Sequence, residues 1–217
     1  MNTFLNLLDN NEGPRHARRP HGTPLTVADY SAHFQQTKSR INGDSSWKLE
    51  RAQHFEETSP GREALRSGDW QGALRLMEEG RAGITAQAAQ DTQRGHVFHR
   101  LRVVEEPLTP YMQWELTTLA VRAECGRPVR VLDHAHIAPT EQTVGPLPEL
   151  VVLGTEVLYE VRYTGRGVHQ GAIAYTDPDA IHAVRDYIRG LYEHPAARDI
   201  GPYVSRSVQH LPPPPAA

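Results

Sequence analysis

Apolar residues in this chain alternate in some stretches and recur every three to four positions in others, and the change of period marks the elements. Val97, His99, Leu101 and Val103 alternate with Phe98, Arg100, Arg102 and Val104, which predicts a strand that Pro107 ends. From about Thr109, Leu108, Tyr111, Met112, Leu116, Leu119, Ala120 and Ala123 fall along one side of a helix that Gly126 closes. Pro128 to Leu132 predicts the next strand. Leu150–Leu153 and Val157–Tyr163 flank Gly154-Thr155, the length of a tight hairpin, and Gly165-Arg166-Gly167 leads into a strand near Val168–Tyr175. Asp177 followed by Pro178 is a helix start with a physical cause, since Asp accepts orphan N–H groups and Pro lacks one. Ile181, Val184, Tyr187, Ile188 and Leu191 form that helix's buried stripe.

Upstream the text is less regular. Thr3–Asp9 carries Phe4, Leu5, Leu7 and Leu8, enough for a short amphipathic helix. From Glu12 to Gly43 the chain is polar and punctuated, and reads as a mobile arm with a short helix near Val27–Gln36. Trp47, Leu49, Ala52 and Phe55 give a broken alternation, read as a strand, and Pro60-Gly61 reads as a turn. Trp70, Ala73, Leu74 and Met77 share one helical face, with Ser67 or Asp69 as cap and Gly80 as stop, and Ala82–Thr92 continues as a second helix. Ala135–Pro148 reads as a loop, and after His194-Pro195 the period is lost.

The expected fold is α+β: a mostly antiparallel sheet of five to six strands, a meander with helices packed on it. Residues 1–44 are expected to form the short helix and flexible arm, 45–195 a single domain, and 196–217 a disordered Pro-rich tail.

Composition changes this picture little. Hydrophobic residues make up 38% and charged residues 23%, an ordinary balance. A net charge of −3 gives no global attraction to nucleic acid or an anionic membrane. Apolar runs are too short to span a bilayer, no signal peptide is evident at the start, and a lone Cys125 fits a cytoplasmic setting.

Candidate chemistry is sparse. His134 and His136, with His96 and His99, are the best metal-ligand spacing on offer, but they fall on different elements, so neither a metal nor a cofactor is called for. Cys125 sits where a helix C-terminus raises a thiol pKa, and reads as a small buried residue. GxSxG, GxGxxG and P-loop motifs are all missing. What remains is a concentration of polar and aromatic residues at one strand–helix junction: Arg100 and Arg102 on the strand, Glu106 after it, and Tyr111, Trp114 and Glu115 on the helix. Trp114 lies to one side of the core stripe, where an indole either lines a pocket or covers a core edge.

The run LRVVEEPLTPYMQWE (Leu101–Glu115) resembles a family of uncharacterised actinobacterial proteins whose strand ends in a (R/K)VRVVxEPLSxYxxFE-like motif. WKLERAQHF (Trp47–Phe55), GDWQGALRLMEE (Gly68–Glu79), LVVLGTEVLYEV (Leu150–Val161) and TDPDAIHAVRDYIRGLYE (Thr176–Glu193) extend the likeness over about two thirds of the chain. The stretch 11–44 and the Pro-rich tail depart from it. The resemblance implies an accessory protein encoded near helix-turn-helix regulators. Its closing strands and helix look like a phospholipase D-like effector module, without that superfamily's His-x-Lys text.

Three functions are therefore expected in turn. The first is a non-enzymatic cytosolic accessory or sensor protein, binding a helix-turn-helix regulator or a small ligand through the junction residues. The second is a hydrolase or transferase using Glu106 and Glu115 with His99 or His134. The third is nucleic-acid binding by Arg15, Arg18 and Arg19, although no helix-turn-helix text follows them.

Overall fold

The computed structural model describes residues 21–214. Eight strands form one sheet: β1 (Thr23–Leu25), β2 (Ser45–Glu50), β3 (Val97–Val104), β4 (Val129–Asp133), β5 (Glu149–Leu153), β6 (Val157–Tyr163), β7 (His169–Tyr175) and β8 (Arg198–Asp199). Their order across the sheet is β1-β7-β6-β5-β2-β3-β4-β8. The helices are α1 (Val27–Arg40), α2 (Pro60–Arg66), α3 (Trp70–Glu79), α4 (Arg81–Gln93), α5 (Pro110–Glu124), α6 (Ala138–Val144), α7 (Pro178–Tyr192) and α8 (Ile200–Ser207).

The α+β class is as the sequence suggests, but the sheet is wider and mixed. β5, β6 and β7 make the expected antiparallel meander, whereas β2–β3 and β3–β4 are parallel pairs at its centre. The reason lies in the connections. Parallel neighbours need a crossover, and α2–α4 carry the chain from β2 to β3 while α5 carries it from β3 to β4. The sequence text held those helices, yet helical text alone does not say which strands pair.

Other differences have local causes. Pro60-Gly61 opens α2 rather than making a turn: the Ser59 side chain accepts from the Arg62 N–H, and Pro60 sits where its missing N–H costs nothing. The short helix expected near Val27–Gln36 within a mobile arm runs the full length of 27–40 and is docked, its Tyr30 and Phe34 packing on Tyr159. The 135–148 loop contains a 3₁₀ turn (His134–His136) and α6. Within the expected tail, β8 pairs with β4 and α8 buries Ile200, Tyr203 and Val204 beside α5. The Thr3–Asp9 helix and the arginines at 15, 18 and 19 lie outside the described residues.

Alternation in the strands sorts side chains onto two faces. Trp47, Leu49, Leu101, Val103, Leu150 and Val152 pack beneath α7. On the other face, α5 and α8 cover β3 and β4, while α1 covers β5 to β7. Those two covers stand apart over β2 and β3, and the space between them is the principal cleft.

Candidate functional site

The cleft encloses about 580 Å³. Its floor comes from the central parallel pair, where Lys48 lies beside Arg100 and Glu50 beside Arg102. These are the even-numbered positions of β2 and β3, opposite the apolar face that packs on α7. Glu50 ties the floor together: both its carboxylate oxygens accept from Arg100 Nη1, at 3.0 and 3.1 Å, and Lys48 Nζ stands 2.6 Å away. Burial pushes the Glu50 carboxyl up, but Arg100, Lys48 and Arg102 pull harder and hold it at about 2.

One wall is α5. Trp114, Thr118 and Arg122 stand at successive four-residue steps and so form a single ridge, with Glu115 and Leu119 beside it. The opposite wall comes from the β6–β7 hairpin, with Tyr163, Val168 and His169. The segment after β2 closes one end with Phe55 and Glu57. Burial lowers the His169 imidazole, favouring its neutral form.

α5 is buried on more than the one stripe read from its sequence. Trp114, Glu115 and Val121 are enclosed as well as the stripe residues Tyr111, Met112, Leu116 and Leu119, because α2 and α3 pack across its outer side. Trp114 is 5% exposed. Its ring edge faces Gly61 of α2, and the indole Nε1–H has no hydrogen-bond partner.

Of the six residues expected at the site, Arg100, Trp114 and Glu115 line the cleft. Arg102 does not; it is 0% exposed and serves as a strut. Its Nε donates to Glu115 Oε2 at 2.9 Å, its Nη1 to the Glu50 and Val103 carbonyls at 3.1 Å each, and its Nη2 to the Ala52 carbonyl at 2.5 Å. A buried guanidinium is tolerable when its donors are met in this way. Burial raises the Glu115 carboxyl against the pull of Arg102. Tyr111 is buried behind the cleft, where its hydroxyl donates to Glu57 Oε1 at 2.8 Å. Glu106, joined to Pro107 by a cis peptide bond, is exposed and outside the cleft.

The constellation of Glu106 and Glu115 with His99 or His134 is not assembled. His99 lies on the α7 face, stacked on Trp47 with centroids 4.2 Å apart and edge-on to Tyr192. His134 meets Glu141 at 2.7 Å in the 3₁₀ turn. Among the described residues no group of three or more His, Cys, Asp or Glu side chains is placed to hold a metal ion, and no helix is long and apolar enough to cross a membrane.

Lys48, Glu50, His169 and Arg122 were missed from the sequence. Two signals could have found them. Charges alternating with Trp47 and Leu49 in a central strand must face something polar, and the Trp114–Thr118–Arg122 spacing makes a continuous ridge.

A family model described as a domain of unknown function, DUF6879, matches residues 32–204. The chain belongs to that family. The DUF6879 span runs from within α1 to within α8 and holds every cleft residue named above. No curated protein matches the chain.

Proposed function

We propose that this protein is a non-enzymatic accessory or sensor protein, which binds a small ligand in the cleft beside α5 and acts with a helix-turn-helix transcriptional regulator. The observation that supports it is the cleft itself. It has the volume of a small-molecule site, with charged groups converging on an aromatic wall, and it is built on the strand–helix junction that carries the family-like motif. Arg100, Trp114 and Glu115 are its reading residues, with Lys48, Glu50 and Arg122 beside them. Binding would set the spacing between α5 and the β6–β7 hairpin, a change a bound regulator could sense. We place the protein in the cytoplasm, in keeping with its one cysteine.

The test combines a tagged-protein pulldown from the native host with a metabolite screen by thermal shift. The expected result is recovery of a helix-turn-helix regulator and a metabolite that raises Tm in the wild type but not in Trp114→Ala. Recovery of no regulator, together with a screen in which no metabolite shifts Tm, overturns the proposal.

A further inference from the structure

Arg122 is the feature of the cleft that its internal pairing does not explain. Lys48 and Arg100 both sit on Glu50, Arg127 meets Asp91 at 3.3 Å, and Arg102 meets Glu115 at 2.7 Å. Arg122 is half-buried, and among the described residues it forms no ion pair or hydrogen bond. Burial, with Arg100 and Arg127 nearby, lowers its pKa more than the Glu50 and Glu57 carboxylates raise it. Such a group costs free energy unless something meets it.

The surroundings say what that something is. Arg122 and Trp114 border both the main cleft and a second slot of about 250 Å³ between α5 and the α2–α3 pair. Pro60, Gly61, Ala73, Leu76 and Met77 give the slot an apolar side, while Glu57, Ser59 and Thr118 supply polar groups at its border. Large apolar side chains left exposed in the described residues also gather here. Val27 (43%) and Val168 (47%) flank the main cleft, and Leu76 (38%) flanks the slot. Two helical turns before Arg122, at the Gly61 side of the slot, the Trp114 Nε1–H is buried without a partner. One unpaired cation next to the apolar side of the slot fits a single negative charge on an apolar body. A dianion would face Glu50 and Glu57 in the same cleft with one free guanidinium to meet it.

We infer that Arg122 forms the anion-binding end of the site, with Trp114 as a wall two turns along α5, and that its ligand is a monocarboxylate with an apolar body lying in the α2–α3–α5 slot. Arg122 takes the carboxylate with its planar fork. The inference rests on the small-ligand reading above and supplies its chemical class.

Titration calorimetry on the full chain tests it with octanoate and phenylacetate, their amides, and octyl phosphate. The acids should bind at least tenfold more tightly than the amides. Arg122→Gln should lose that preference while melting no lower than the wild type, because an unpaired, half-buried cation has been removed. Gly61→Leu is the blocking variant. A Cβ at position 61 would stand 3.6 Å from Trp114 Cζ2, an ordinary contact, and the rest of the side chain would fill the slot. It should weaken octanoate at least tenfold with Arg122 intact.

Equal binding of acid and amide, or acid binding unchanged in Arg122→Gln, overturns the anion end and leaves the small-ligand reading standing. Octyl phosphate binding more tightly than octanoate overturns the carboxylate assignment. No binding by any of these compounds overturns the inference, and the metabolite screen then decides separately whether the cleft binds small molecules.

Discussion

Glu149 shows how a single residue can carry a pH dependence. Its Oε1 accepts from the Arg51 and Ala52 N–H groups at 2.7 and 2.6 Å, while Oε2 is buried with no partner. Burial raises its pKa from 4.5 to about 7, despite the pull of Arg102. With the folded value above the unfolded one, the contribution to stability is complete below about 4.5 and is lost as pH rises through about 7. The gap corresponds to on the order of 3 kcal/mol. Glu149→Gln keeps the acceptor and cannot ionise, so its stability relative to wild type should rise between pH 5 and pH 8. Urea unfolding of both proteins at those two values checks this, and a difference that does not change with pH would remove Glu149 as the titrating group. Arg102 and Glu115 differ in being a buried ion pair, with Arg102 Nη2 2.7 Å from Glu115 Oε2. Glu115→Gln should cost about 3–5 kcal/mol by leaving the guanidinium uncompensated. The double change Arg102→Met with Glu115→Leu should recover most of it, as read from urea midpoints.

Among the elements, those with a start signal and a clean period were legible. α7 begins where Asp177-Pro178 implied, with the Asp177 side chain accepting from the Ala180 N–H at 2.8 Å, and its Ile181, Val184 and Ile188 are buried as read. Asp177→Ala should therefore cost about 1 kcal/mol, measurable as a shift in urea midpoint without change in slope. α3 starts at its Asp69 cap in the same way. Elements without a period were missed for physical reasons. β8 has two residues, too few to alternate, and α8 carries Gly201 and Pro202 in its first turn, which disguise an otherwise apolar helical face. Gly171 escaped notice too. It sits at φ +103° where β7 receives β1, and a Cβ there would lie 2.1 Å from the Leu25 carbonyl oxygen. A strand interior gives no warning that another backbone approaches so closely.

At the scale of the whole molecule, what the sequence could not supply was the pairing order. Each strand of the β2–β3–β4 trio reads as a strand, but their parallel alignment depends on where the crossover helices lay the chain down. The site inherits that limit. Arg100, Trp114 and Glu115 are close in sequence and were found together, whereas Lys48, Glu50, Val168 and His169 reach the same cleft from β2 and the β6–β7 hairpin. Arg102 and Tyr111 have the residue types of a binding site, and it is depth in the fold that makes one a strut and the other a wall behind it. Lys38 of α1 shows the same depth effect, meeting Asp91 of α4 at 2.8 Å where the sequence reads as a mobile arm.

The position of Trp114 has an optical consequence. Its indole stands between two cavities with its nitrogen edge against a glycine, whereas Trp47 is sandwiched with His99 and Tyr192 on the far side of the sheet. A chain in which Trp47 and Trp70 are phenylalanine would emit from Trp114 alone. Its colour would then report filling of the slot, so the protein carries a built-in fluorophore at the place where occupancy matters.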